Sequence, residues 1–522
     1  MTIFVADSRP KVSMEKQNNS ENGAKYSAKM ECIMRVTLSD GTVIERKDEV
    51  PGGVPDRGEM DFSNIEGVLR SFDGYEKSSI ETCRKTLQEF TDEYMSELSK
   101  KKEPEEGEVE RKVELECEAG RISVFLYGDA FSFLRPCERI YGLSFCDMLL
   151  TLSAKMGYDA TTDAMNRFLH RDGDNRLRTK TIQELVRRLG EKIDAAYGKV
   201  TDEILCLYNV SGQTGIPTEE STLPQSVRHP VLESQAAKER VDEIARQYND
   251  RHETQWQIPQ SCLDVLPEAP GGRQVYVYID DVLVKHQKDS RAPGSKRDGR
   301  FVSDTVICIQ EAGRKYHITA TSMQEAFRRL LAFLLSNHLM EDRQLIFISD
   351  GATAIKDSIE AHFGFRDYKL YLDWYHLDKK CYQFLSSGLK TGKAVKEDKD
   401  RIGHELASLL WVGNCDAALK YISKIDEKLV KYRKALDELV NYITRKSENI
   451  PCYAIRNGLG LHNSSNPVEK ANDLIVAQRQ KNNGMSWSKR GSGALAAITA
   501  AERNGERNNI IIGKRPQFAL AA

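Results

Sequence analysis

Two short apolar runs in the second half of the chain each end on an aspartate: QVYVYID at 274–280 and QLIFISD at 344–350. The first is rich in β-branched and aromatic residues. The second is apolar without alternation, the pattern of a strand covered on both faces. Between them, FVSDTVICIQE (301–311) and RKYHITAT (314–321) read as a hairpin turning at Ala312-Gly313. Ser322-x-x-Glu325 then opens a helix with Phe327, Leu330, Leu331, Leu334 and Leu335 at helical spacing. Strand, strand, strand, helix, strand is the predicted order over 274–350, which makes the region α/β with a mixed sheet.

That order puts an acid at the end of the first strand and another at the end of the fourth, as an RNase H-like fold does with two metal-binding carboxylates. In such a sheet those strands are neighbours, so Asp280 and Asp350 are expected to meet. Two unpaired carboxylates at close range repel unless a divalent cation neutralises them. Hard oxygen ligands suit Mg²⁺ or Mn²⁺, and two ions about 4 Å apart can serve the attacking and leaving oxygens of an in-line phosphoryl transfer. An aspartate closing a strand is also a common turn or cap residue, and the chain has 78 acids, so the pair alone leaves both readings open. Asp281 is an equally acidic neighbour; strand alternation sets it on the opposite face, which favours Asp280 as the ligand.

Beyond Asp350, the segments SDGATAIKDSIEAHF and YKLYLDWYHLDKKCYQFL resemble DDE transposases of bacterial insertion sequences, within the broad Mutator-like and hAT-like assemblage. Those enzymes carry a second catalytic Asp in an Asp-Gly-Ala context and a C/D-x-x-H motif on the next strand. Here Asp350 is followed, at a separation of 23, by Asp373-Trp374-Tyr375-His376. The resemblance implies a third acid on a helix beyond a helical insertion. Residues 395–447 have helical spacing throughout, and HNSSNPVEKANDLIVAQRQKNNGMSWSKRGSGALAAI (462–498) supplies Glu469. Asn466-Pro467 starts that helix, since proline suits the first turn, and RQKNNGMSWSKRG resembles the region after the Glu. The similarity spans about 274–498, under half the chain.

What the resemblance implies is a metal-dependent DNA strand transferase. Asp280, Asp350 and Glu469 would hold two Mg²⁺ or Mn²⁺ ions, with Asp373 and His376 behind them. A phosphodiester at the element end is hydrolysed, and the freed 3′-OH attacks target DNA. The partners are double-stranded DNA, as element ends and target, and a second copy of the chain in a homo-oligomer. A nuclease of the same fold that does not join strands, and a catalytically silent DNA-binding derivative, are the alternatives.

Several residues carry a second reading. His376 is either a group behind the metal site or a satisfied core histidine. Trp374, Tyr375 and Trp487 are more simply packing residues than base-stacking ones. Glu469 could be only a helix-start acid favoured by the dipole. Two basic segments, KHQKDSRAPGSKRDGR (285–300) and 489–517, are placed to meet DNA phosphates, or are solvated loops. The single candidates are Lys285, Lys288, Arg291, Arg479, Lys481, Lys489 and Arg490.

The N-terminal half gives less. Residues 1–25 read as a disordered polar tail without an apolar signal core, and 26–140 as an α+β region. Within it MECIMRVTLSDGTVIE turns at Asp40-Gly41, 63–97 looks helical, the charge run 99–112 is a solvated linker, and 115–126 suggests a strand pair. Residues 141–210 read as three helices, the third opened by Thr181-x-x-Glu184; with Arg176, Arg178, Lys180, Arg187 and Arg188 alongside, they form either a helix-turn-helix or a basic-edged bundle. A linker and charged helix (211–270) precede the core (271–394), the helical insertion (395–450) and the end of the core with its basic tail (451–522).

Composition bounds the rest. Eleven cysteines without a CxxC pair exclude a zinc ribbon and point to a reducing compartment. No run of about 18 apolar residues reads as a spanning helix, so the expected setting is the cytoplasm, near the nucleoid, with no membrane partner. A net charge of −2 leaves any nucleic-acid binding to local patches.

Overall fold

The structure is a computed structural model. It describes residues 4–6, 11–17, 25–37, 43–51, 80, 84–89, 92, 111–118, 120–126, 139–230, 237–252, 274–287, 300–481 and 485–520. The chain divides into two compact units, Met1–Ile182 and Gln183–Ala522.

In the first unit the long strand β3 (Lys25–Thr37) is the centre of a sheet. β1 (Phe4–Ala6) and β2 (Lys11–Gln17) pair with its two ends, and β4 (Val43–Pro51) pairs along it with Thr37 opposite Val43. The strands expected on either side of Asp40-Gly41 therefore pair, while Asp40 and Gly41 lie outside the described residues. The polar tail expected over 1–25 is corrected: two of its segments are strands. Val12 and Met14 alternate with polar residues, and the backbone of β3 offers them a partner. A second sheet holds the strand pair expected near 115–126, as β5 (Arg111–Cys117) and β6 (Gly120–Leu126), with β7 (Arg139–Tyr141) parallel to β5. Most of the helix expected over 63–97 and of the linker at 99–112 lies outside the described residues; 84–89 is helical.

Three helices follow: α1 (Leu143–Ser153), α2 (Tyr158–Phe168) and α3 (Thr179–Leu207). α3 starts two residues ahead of the expected Thr181, and Glu184 faces Arg187 instead of reaching back as a capping partner. Ten residues, including a 3₁₀ turn at Gly173–Asn175, separate α2 from α3, longer than the compact turn of a helix-turn-helix.

The second unit is built on a five-stranded mixed sheet: β8 (Gln274–Lys285), β9 (Phe301–Glu311), β10 (Arg314–Ala320), β11 (Gln344–Ser349) and β12 (Lys369–Leu372). Its order is β10-β9-β8-β11-β12; the first three strands are antiparallel in sequence, and β11 and β12 run parallel to β8. Both central residues of the β9–β10 turn, Ala312 and Gly313, have positive φ (48° and 82°), the turn that matches strand twist. All six residues of β11 are buried, as are Val275–Ile279 of β8. Burial on both faces follows from helices packed against the sheet. α6 (Met323–Ser336), capped by Ser322 Oγ accepting from Glu325 N (3.3 Å), lies on β9 and β10; α14 (Lys489–Arg503) does too. α4 (Gln225–Arg228) and the charged α5 (Ala237–His252) precede β8 in sequence, and α7 (Thr353–Phe363) follows β11.

The insertion is helical as expected: α8 (Trp374–Gly388), α9 (Lys393–Trp411), α10 (Cys415–Ser423) and α11 (Arg433–Lys446). They share their own apolar core, with Leu377, Leu385, Leu406, Leu410, Leu436 and Leu439 all nearly or fully buried. α12 (Tyr453–Gly458) then leads to α13 (Asn466–Asn472), with proline in its first turn as expected. The helix does not simply continue: Asp473–Ala477 is a π turn and Gln478–Gln480 a single α turn. α15 (Arg507–Ile511) follows α14. No described helix is long and apolar enough to cross a membrane.

Candidate functional site: a row of aspartates

The parallel registers decide where the acids stand. Tyr278 lies opposite Ile348, and Ser349 opposite Leu372. Extending both by one or two residues puts Asp280, Asp350 and Asp373 in one row, with backbones about 5 Å apart. Asp350 and Asp373 follow the last residues of β11 and β12, whereas the strand expected to end at Asp280 runs on to Lys285 because its pairing with β9 continues. Asp373 N donates to Ser349 O (2.8 Å), closing that row. Gly351 makes the turn away from it: φ is +83°, and a Cβ there would stand 2.7 Å from Leu372 Cδ1. Alanine would meet both a left-handed backbone and a clash.

The three carboxylates are treated differently. Asp280 is partly buried, and that burial, joined by the charge of Asp350, raises its pKa to about 6 against the pull of a backbone hydrogen bond from Asp281. Both of its oxygens accept: Oδ1 from Asp281 N (2.8 Å) and Oδ2 from Asn472 Nδ2 (2.6 Å). Asp281 is exposed and bonded by Thr305 Oγ1 (2.6 Å); burial of its carboxyl and the charge of Asp350 raise its pKa too. Asp350 thus acts on both, and alternation separates the pair less than expected. Asp350 Oδ1 accepts from Ala352 N (2.8 Å).

Asp373 is fully buried. Burial opposes its charge, yet hydrogen bonds from His376 and Ser465 outweigh it and hold the pKa below the ordinary value. Oδ1 accepts from His376 N (2.7 Å), capping α8, and meets His376 Nδ1 (3.0 Å); Oδ2 accepts from Ser465 N and Ser465 Oγ at the start of α13. One carboxylate therefore ties together β12, α8 and α13.

Through that tie Glu469 arrives. It sits in the first turn of α13, with Oε1 3.9 Å from His376 Nδ1. His376 is half-buried, not a core residue; the Asp373 hydrogen bond raises its pKa, with the charges of Glu469 and Asp350 adding. The structure thus brings Asp280, Asp350, Glu469, Asp373 and His376 into one neighbourhood. Among the described residues, however, no three His, Cys, Asp or Glu side chains stand close enough to hold an ion as placed.

Residues 268–514 match the model of an uncharacterised protein family, UPF0236. The match covers a little under half of the chain and contains every acid above. No curated protein matches the sequence.

Sequence reasoning missed Asn472, Ser465 and Thr305. Asn472 had a legible signal: it lies three residues after Glu469, so both share one helical face. The basic candidates divide. Lys285, Lys481 and Lys489 are exposed. Arg490 is exposed but paired with Glu191 (2.8 Å). Lys288 and Arg291 lie outside the described residues. Arg479 is a correction: it is buried, 5.0 Å over the Trp487 ring and donating to Met485 Sδ (2.8 Å), because a planar guanidinium stacks well on indole. Trp487 is a packing residue, buried with Nε1 donating to Gln480 O (3.1 Å). Trp374 packs edge-on against Trp411 (4.7 Å), whereas Tyr375 is exposed.

Proposed function

We propose that the chain is a DDE-type DNA transposase with an RNase H-like core, cutting and joining DNA at a site made by Asp280, Asp350 and Glu469. The observation that carries this reading is the row of aspartates across three adjacent parallel strands, with the Glu469 helix docked onto it by Asp373. A mixed sheet in which the first strand lies between the second and the fourth supports the RNase H-like assignment.

The donor set suits two Mg²⁺ or Mn²⁺ ions: three hard carboxylates, with Asp280 raised to about 6 by burial first and by the charge of Asp350 second. When bound, the ions would supply Lewis acidity to the scissile phosphodiester. The chain's own residues do the rest. Asn472 and the Asp281 amide fix both oxygens of Asp280, and the Ala352 amide fixes Asp350. Asp373 sets the orientation of His376, whose Nδ1 stands 3.9 Å from Glu469 Oε1 beside the row. Exposed Lys285, Lys481 and Lys489 offer salt-dependent contacts to double-stranded DNA. Joining two ends calls for a homo-oligomer.

The test is incubation of the purified chain with Mg²⁺ and duplex carrying the DNA that flanks its gene. Nicking followed by strand joining, both reduced to background by Asp350→Asn, is the expected result. Cleavage without joining would make it a nuclease. The separation of the side chains as placed favours one other reading, a relative that binds DNA and does not cut; binding with no cleavage in any divalent metal would establish that instead.

A further inference from the structure

The first unit contains a cleft of about 780 Å³ that none of the chemistry above uses. It lies between the β5–β6 turn, the end of α2 and the loop that follows α2. Five arginines line it, Arg84, Arg121, Arg167, Arg171 and Arg176, against two aspartates, Asp163 and Asp172. Its volume falls in the range of pockets that take a nucleotide-sized group, about 300–1,000 Å³.

Two features separate this cleft from an ordinary charged surface. Arg171 is only 7% exposed, yet among the described residues its Nε is a buried donor without a hydrogen-bond partner. Its other nitrogens are placed: Nη1 meets the fully buried Glu116 (2.5 Å), and Nη2 donates to Cys117 O (2.8 Å). Glu116 is also approached by Arg121 (3.4 Å) and Arg139 (3.9 Å), which share Glu114 as well (3.6 and 3.5 Å), so two carboxylates face three guanidinium groups and leave a net positive charge. Secondly, Arg167 is exposed at the rim and makes no ion pair among the described residues, while Arg176 is held beside it by Asp163 (3.2 Å). A buried donor left open costs about 1–3 kcal/mol unless something occupies it, and forked guanidinium groups match the geometry of phosphate oxygens.

We infer that this cleft binds phosphate groups, Arg171 from its floor and Arg167 from its rim, and that the phosphates are those of a nucleic-acid backbone. Phosphate binding here needs no metal and stands apart from the carboxylate site; the choice of a nucleic-acid backbone as its source rests on the proposed function.

The experiment uses the full chain in EDTA, which silences any metal-dependent step. Binding of a fluorescein-labelled duplex is followed by anisotropy across a salt series, and binding of inorganic pyrophosphate by calorimetry. Arg167→Glu is the main variant because its side chain is exposed and its loss should not unfold the unit. Lys155→Glu, an equal charge change on an exposed position outside the cleft, is the control. The expected result is duplex affinity lowered about tenfold or more by Arg167→Glu but not by Lys155→Glu, with the log–log salt slope reduced by about one. One-site pyrophosphate binding that Arg167→Glu removes while duplex affinity stays unchanged would uphold the phosphate site and replace the backbone with a small phosphorylated ligand. Equal weakening by both variants, or no effect of Arg167→Glu on either probe, overturns the inference.

Discussion

Replacing Asp304 by asparagine should make the second unit more stable at neutral pH and leave it unchanged in mild acid. Asp304 faces inward from β9 and is fully buried. Ser492 Oγ sits between its carboxylate and Gln480 Oε1 (2.6 Å), and among the described residues Oδ1 is a buried acceptor without a hydrogen-bond partner. Burial raises its pKa to about 6, helped by the charge of Asp281 and opposed by the Ser492 bond. Because the folded value lies above the ordinary 3.8, the folded state binds the proton more tightly, and stability falls as pH rises through the window between the two. At 1.36 kcal/mol per pH unit the charged form costs up to about 3 kcal/mol above that window. Asparagine keeps the shape and removes the charge. The variant should therefore match the parent near pH 4 and exceed it by about 1–3 kcal/mol near pH 7.5. Urea unfolding followed by tryptophan fluorescence measures this, since the Trp487 indole donates to the backbone of Gln480 in the same network. Asp280 and Asp281 titrate in both proteins, so the difference isolates Asp304. A difference that does not vary with pH would refute the argument, as would a variant less stable at neutral pH.

Three further outcomes are expected. Asp373→Ala should cost about 3–5 kcal/mol in urea unfolding, because it leaves Ser465 and His376 without their shared acceptor; since the parent pKa lies below the ordinary value, the contribution is present at neutral pH and fades in acid as the carboxylate protonates. Gly190→Ala should lower stability by about 1–3 kcal/mol despite alanine's better helix propensity, because a Cβ would stand 2.3 Å from Ala494 O, a backbone atom; a thermal melt showing stabilisation would contradict that packing. Asn472→Ala should weaken Mn²⁺ binding about 10–100-fold by electron paramagnetic resonance titration while the melt changes little, as expected when a residue orients a ligand without being one.

How far the site could be read from the residues depended on whether the signal was local. The paired runs ending in Asp280 and Asp350 were legible because a buried strand has a composition of its own, and the Ser322 and Asn466-Pro467 helix starts because caps act within one turn. Asp373 was found by resemblance, but its role was not: the grip on Ser465 spans 92 positions and leaves no trace in spacing. Arg479 failed for the same reason, since a cation looks solvent-seeking until Trp487 is folded beneath it. The strand at Lys11–Gln17 was hidden because a polar segment becomes a strand only when a neighbour offers backbone bonds, and Phe4–Ala6 because three residues are too short to show a period.

The helical segment between β12 and α13 also has a bearing on timing. Asp280 and Asp350 are synthesised first and occupy neighbouring strands, but Glu469 emerges 119 residues after Asp350. At translation rates of about 5–20 residues per second, that gap lasts on the order of ten seconds. During it, the segment's own core can form. Until the α13 segment is made, a nascent chain would hold two of the three carboxylates with no third.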